Sequence, residues 1–152
     1  MKRSWIALAL VALLGLLVAG VATAGHVRGT KGADQLNGTA ARDVIRGLAG
    51  NDTISAGDGN DRVFGGPGDD TVDGGNGNDR IWAGRGADTA SGGAGNDVIH
   101  VIANDDQVDH VDCGDGNDIV WVNSAESDVY TNCETVKTVT VTTTAAAAAF
   151  RR

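Results

Sequence analysis

Cationic side chains are scarce in this sequence of 152 residues. Lysine occurs only at positions 2, 31 and 137, and twelve Lys and Arg face twenty Asp and Glu, for a formal net charge of −8. There is no basic run and no cationic amphipathic helix, so the chain as a whole repels nucleic acid and anionic lipid headgroups and invites cations. Aromatic residues make up 4 % of the chain. Histidine is confined to His26, His100 and His110, none of which has a serine or cysteine placed to serve as a nucleophile. Cysteine occurs twice, at Cys113 and Cys133. In an exported chain that pair reads as a disulfide, closing a loop worth about 3 kcal/mol. Zinc held by both cysteines and His110 is the alternative.

What is present begins with an apolar run from Trp5 to Ala22, preceded by Lys2 and Arg3 and followed by the small residues Ala22, Thr23 and Ala24. This reads as a secretory signal peptide over residues 1–24, which places the mature chain outside a bacterial cell. A retained membrane anchor is the competing reading, because the run is just long enough to span a bilayer. Only with the anchor would the protein contact a membrane. Without Lys2 and Arg3, ten basic residues remain against twenty acidic ones.

From Gly29 to His100 the chain divides into eight nonapeptides. Asp34, Asp43, Asp52, Asp61, Asp70, Asp79, Asp88 and Asp97 recur every nine residues, and Leu36, Ile45, Ile54, Val63, Val72, Ile81, Ala90 and Ile99 keep the same beat two residues later. Glycine, asparagine and aspartate in such numbers would permit disorder, but disorder gives no reason to hold an apolar residue at fixed phase. Ordinary turn chemistry explains the residue types without explaining that phase. The beat resumes after three extra residues, Val101 to Ala103, with Asp109 and Val111, then Asp118 and Val120.

The best copies read GGPGDDTVD, GGNGNDRIW and GGAGNDVIH. They resemble the haemolysin-type calcium-binding repeat of the RTX family, GGxGxDxUx. The resemblance implies an all-β fold: a parallel β-roll, a right-handed solenoid with two nonapeptides per coil. Three residues such as Thr71-Val72-Asp73 form a strand whose middle side chain points inward, and six such as Gly65 to Asp70 form the turn. The β-roll is expected over 25–122, regular over 29–100 and bulged over 101–122. A disulfide-tied cap is expected over 123–137 and a Thr/Ala-rich tail over 138–152, with a strand from Val136 to Val141.

Turns eighteen residues apart should stack about 4.8 Å from one another, so two phased carboxylates can grip one calcium ion, which needs six to eight oxygens at about 2.3 to 2.6 Å. Magnesium demands shorter, stricter geometry, and the hard oxygens argue against zinc or copper. The expected metal residues are Asp52, Asp61, Asp70, Asp79, Asp88 and Asp97, with the glycine pairs Gly57 and Gly59, Gly66 and Gly68, Gly75 and Gly77, Gly84 and Gly86, and Gly93 and Gly95. About four good sites follow from pairing Asp52 with Asp70, Asp61 with Asp79, Asp70 with Asp88, and Asp79 with Asp97. Asp34, Asp43, Asp109 and Asp118 are weaker candidates. Thr39-Ala40-Ala41 departs from the pattern in the second repeat, and Leu48 replaces a glycine in the third, which puts the Asp52 site in question.

No enzyme is expected. The repeats fill nearly all of the chain after residue 24, and identical carboxylates suit ion binding better than a glycosidase, whose two acids need different environments. RTX toxins usually carry a C-terminal export signal, so an N-terminal signal argues for a small secreted calcium-binding protein. The alternative is a calcium-stabilised adhesin, or a glycan-binding module accompanying a polysaccharide-active system. Its candidate surface follows from the outward positions. Asn37, Ser55, Asp73, Ser91 and Asp112 make one face polar, while Arg46, Phe64, Trp82, His100 and Trp121 form a ladder on the other, flanked by Arg62 and Arg80. Cell-surface or matrix polysaccharide, or a protein, is the partner such a face would take, unless the C-terminal strand folds back over it.

Overall fold

The computed structural model describes residues 24–103 and 105–140. Its strands, numbered in chain order, alternate between two sheets. One has seven strands: β1 (His26–Arg28), β3 (Val44–Arg46), β5 (Arg62–Pro67), β7 (Arg80–Arg85), β9 (Val98–Val101), β11 (Ile119–Asn123) and β13 (Thr135–Val139). The other has six: β2 (Gln35–Asn37), β4 (Thr53–Ser55), β6 (Thr71–Asp73), β8 (Thr89–Ser91), β10 (His110–Asp112) and β12 (Val129–Thr131). Every pairing is parallel, and the result is a β-solenoid of about six coils with no helix among the described residues.

The nonapeptide dictates this path. The middle residue of each three-residue strand turns inward, and two apolar files meet in the core. Leu36, Ile54, Val72, Ala90 and Val111 come from the six-stranded sheet, and Ile45, Val63, Ile81, Ile99 and Val120 from the seven-stranded one, all of them buried. Register is fixed because a slip of one residue would turn each file to solvent. Val72 pairs with Ile54 and Ala90, eighteen residues away on either side. Past the inserted residues Val111 still pairs with Ala90, and Val120 with Ile99. The bulge follows β9, whose last residue, Val101, is itself buried in the core.

Cys113 and Cys133 are joined, with a Cα–Cα distance of 5.1 Å. Both sulfurs are spent on that bond, so the zinc alternative with His110 falls. The bond ties the turn after β10 to the turn before β13. Segment 123–137 carries β12 and part of β13, which extend the two sheets by one rung each. The C-terminal strand does not fold across the aromatic ladder: β13 pairs edge to edge with β11, Val136 opposite Val120. The free backbone of β11 offers a continuous row of hydrogen bonds there, which packing over the sheet face would leave unmade. Tyr130 and Val136 take the inward positions of the last rungs and stay 42 % and 39 % exposed. The expected signal peptide, up to Thr23, and the tail from residue 141 lie outside the described residues.

Candidate metal centre

Each turn folds tightly around one buried carboxylate. In the turn from Gly74 to Asp79, Gly75 takes φ +91° and Gly77 +131°, the left-handed region that a side chain disfavours. All ten paired glycines expected at the metal turns have positive φ. A Cβ on Gly74 would lie 2.7 Å from Asp79 Oδ2 and 2.5 Å from the Gly92 carbonyl of the coil above. A carboxylate oxygen and a carbonyl oxygen therefore converge on one small space that only glycine leaves open.

The two oxygens of each phased aspartate have different surroundings. Oδ1 accepts the backbone N–H of the aspartate one coil earlier. Asp79 Oδ1 takes the Asp61 N–H at 2.8 Å, and Asp97 Oδ1 takes the Asp79 N–H at 2.8 Å. On the opposite edge Asp52 N–H bonds Asp70 Oδ1 and Asp70 N–H bonds Asp88 Oδ1, both at 2.8 Å. Oδ2, by contrast, is buried without any hydrogen-bond partner in Asp52, Asp61, Asp70, Asp79, Asp88, Asp97, Asp118 and Asp128. A buried ionised oxygen facing no donor is costly, and eight of them oppose folding until a cation or a proton neutralises them. Carbonyl and carboxylate oxygens are the donor set of a hard ion such as calcium. Among the described residues no three His, Cys, Asp or Glu side chains converge on one point, so such an ion would take part of its coordination from turn carbonyls.

The first two turns differ, and threonine is the cause. Thr30 and Thr39 stand where the later repeats have the second glycine, and neither has positive φ, which a β-branched residue resists. Instead each swings its own donors onto the carboxylate. Thr30 N–H and Oγ1 bond Asp34 Oδ2 at 2.6 and 2.9 Å, and Thr39 N–H and Oγ1 bond Asp43 Oδ2 at 2.5 and 3.0 Å. These two oxygens are already satisfied. Leu48 keeps the glycine-like turn at φ +90°, a strain of about 1–3 kcal/mol, and Asp52 Oδ2 stays unpartnered.

Two carboxylates escaped the sequence reading. Asp128 takes up the next position of one file, its Oδ1 accepting the Asp109 N–H at 3.1 Å, and Glu134 ends the other, its Oε2 accepting the Asp118 N–H at 2.8 Å. Their separations from Asp109 and Asp118 are 19 and 16 residues, which breaks the beat. Asp109 and Asp118 are themselves in file, accepting the N–H groups of Asp88 at 2.8 Å and Asp97 at 2.7 Å. Outside these files a similar bond runs in the opposite sense, Oδ1 of Asn60, Asn78 and Asn96 accepting the N–H of the asparagine one coil later, Asn78, Asn96 and Asn117, at 2.7 to 2.9 Å.

A model of the RTX calcium-binding nonapeptide repeat matches residues 28–63, 64–99 and 87–120. The chain belongs to this family. RTX repeats bind calcium, so this is a calcium-binding repeat protein, and its unpartnered aspartate oxygens accord with that role. No curated protein and no solved structure gives a match to the chain.

Burial sets the proton affinity of the RTX aspartates. It pushes Asp79 and Asp88 up to about 7 and Asp70, Asp97 and Asp109 up to about 6, against the bonds from the backbone N–H groups. The neighbouring carboxylates in each file raise them further. Without a metal ion these groups hold protons more firmly folded than unfolded. Their contribution to stability is full below about pH 4 and is lost as pH rises through about 6 to 7.

Proposed function

We propose that this RTX protein is an exported calcium binder that folds on binding, with ions held between stacked turns. The row of buried, unpartnered Oδ2 atoms carries this reading. Both members of a stacked pair are unpartnered in Asp52 with Asp70, Asp70 with Asp88, Asp61 with Asp79, Asp79 with Asp97, and Asp97 with Asp118. The last pair joins the four expected from spacing, because Gly114 and Gly116 give its upper turn positive φ as in the regular repeats. The carboxylates of a pair neutralise the ion while glycine carbonyls complete its shell. The threonine-satisfied turns at Asp34 and Asp43 form a metal-free first coil. Export is supported by the basic residues, apolar run and small-residue site at the N-terminus, and by a disulfide that persists in oxidising surroundings.

Protons and calcium compete for the same oxygens, so the apparent calcium affinity should fall as pH drops below about 7. Titrating the chelator-stripped chain with calcium at about pH 8 and about pH 5.5 tests both the site and its electrostatics. Equal affinity at both values, or none at either, would remove the proposal. Thr39→Val gives a second test. It takes away the hydroxyl donor to buried Asp43 and should lower stability in calcium by about 1–3 kcal/mol. The number of bound ions should not change, and a change in that number would contradict a metal-free first coil.

A further inference from the structure

The charges of this acidic chain are sorted by sheet. The strands of the seven-stranded sheet carry Arg28, Arg46, Arg62, Arg80, Arg85 and Lys137, all exposed, and no Asp or Glu. The six-stranded sheet has no Lys or Arg and carries Asp73 and Asp112. Sorting so complete gives one face a cationic strip along the solenoid axis while the molecule as a whole is anionic.

The ladder on that strip is stacked on itself. Phe64 and Trp82 lie 4.6 Å apart with ring planes within 7°, Trp82 and His100 5.1 Å apart within 1°, and His100 and Trp121 5.9 Å apart within 11°. Arg46 covers the Phe64 ring at 5.2 Å and Lys137 the Trp121 ring at 4.7 Å. The ring faces are thus turned to one another and capped by cations, and ring edges, the positive part of the quadrupole, face outward. A nucleic acid base or a neutral sugar would seek an open ring face and finds none. Beside the ladder runs a shallow groove of about 360 Å³, lined by Trp82 and His100 of the ladder, by Gly66, Pro67, Gly84 and Arg85 further along β5 and β7, and by Ile102 and Ala103.

We propose that this strip docks an anionic polysaccharide lying along the solenoid axis, with Arg62 and Arg80 on one side of the ladder and Arg85 in the groove contacting its acidic groups. Arg62 and Arg80 stand opposite each other on the adjacent strands β5 and β7, about 4.8 Å apart along the backbone, so one flexible chain can meet both at once. Gly66 and Gly84, which carry no side chain, leave room in the groove for a ring of the chain, and ring edges and guanidinium groups favour carboxylate or sulfate over neutral sugar. Calcium uptake would strengthen the strip without being a condition for it: ions in the turns at both edges of the sheet would cancel nearby carboxylates.

The full-length protein, saturated with calcium, is titrated calorimetrically with chondroitin sulfate. Dextran, polyglutamate and oligothymidylate serve as comparisons, and bound calcium is counted in the same samples. The expected result is saturable binding of chondroitin sulfate that weakens with salt, and no binding of dextran. Arg62→Ser combined with Arg80→Ser should weaken it more than about tenfold, and Arg85→Ser alone by less, with bound calcium unchanged. Calcium uptake without chondroitin sulfate binding overturns the docking strip and leaves the calcium reading intact. Equal affinity in the double variant, or polyglutamate or oligothymidylate binding as tightly, also overturns it. Chondroitin sulfate binding that depends on the arginines in a chain taking up no calcium supports the strip and removes the calcium reading instead.

Discussion

Stripped of calcium at neutral pH, the chain is expected to lose most of its β-structure. Each nonapeptide orders nine residues and buries only one or two aliphatic side chains, a small apolar return on the entropy lost. The buried carboxylates weigh further against folding. Their unpartnered oxygens lie in files where each aspartate has like charges above and below, so the empty fold opposes itself until a cation or a proton intervenes. Metal binding to the folded state alone then adds its free energy directly to folding. Circular dichroism in excess chelator should show a largely unfolded chain, and millimolar calcium should restore the sheet signal in one cooperative step. Acidification in chelator should recover part of that signal, because protonation between about pH 7 and pH 4 favours the folded form. The same β-signal in chelator and in calcium would mean that the core suffices without metal.

The second large effect is expected from Asp79, set against Asp34. Asp79 belongs to two stacked pairs, with Asp61 below and Asp97 above, and it lies near the middle of its file. Asp79→Asn keeps the volume and an acceptor for the Asp61 N–H, yet removes the charge. It should cost about two bound ions, and hydrogen exchange should show the stack dividing into two weaker blocks, as one-dimensional arrays do. Asp34→Ala removes a carboxylate that already accepts both donors of Thr30 and lies half exposed on the first coil. It should fray the N-terminus and cost no ion. Equal losses of bound calcium in equilibrium dialysis would contradict the pairing.

The beat of aspartate and aliphatic residues made the coil legible because nine residues repeat one physical task, an inward side chain followed by a glycine turn. The eighteen-residue pairing of Asp61 with Asp79, the bulge after His100 and the ladder from Arg46 to Trp121 all follow from that arithmetic. What the beat could not show lies where one residue does another's work. Thr30 and Thr39 satisfy a carboxylate that glycine would leave open, and that rests on a hydroxyl reaching four residues ahead. Asp128 and Glu134 hold their places through turns of irregular length, so spacing hides them. Lys137 completes the ladder only because β13 adds a rung to the sheet instead of lying across it. The turning of the ring faces toward one another is likewise a matter of side-chain rotation, on which the sequence is silent.

The anomalous scattering of calcium in crystals grown with calcium is the most direct test of ions held between stacked aspartates. Difference peaks are expected within the turns between Asp61 and Asp79, Asp79 and Asp97, Asp97 and Asp118, Asp52 and Asp70, and Asp70 and Asp88, with Oδ2 of each residue at about 2.3 to 2.6 Å from a peak. The turns at Asp34 and Asp43 should show none, with the threonine donors still in place. Turns free of anomalous density, their Oδ2 atoms met by water or protein donors instead, would contradict the assignment.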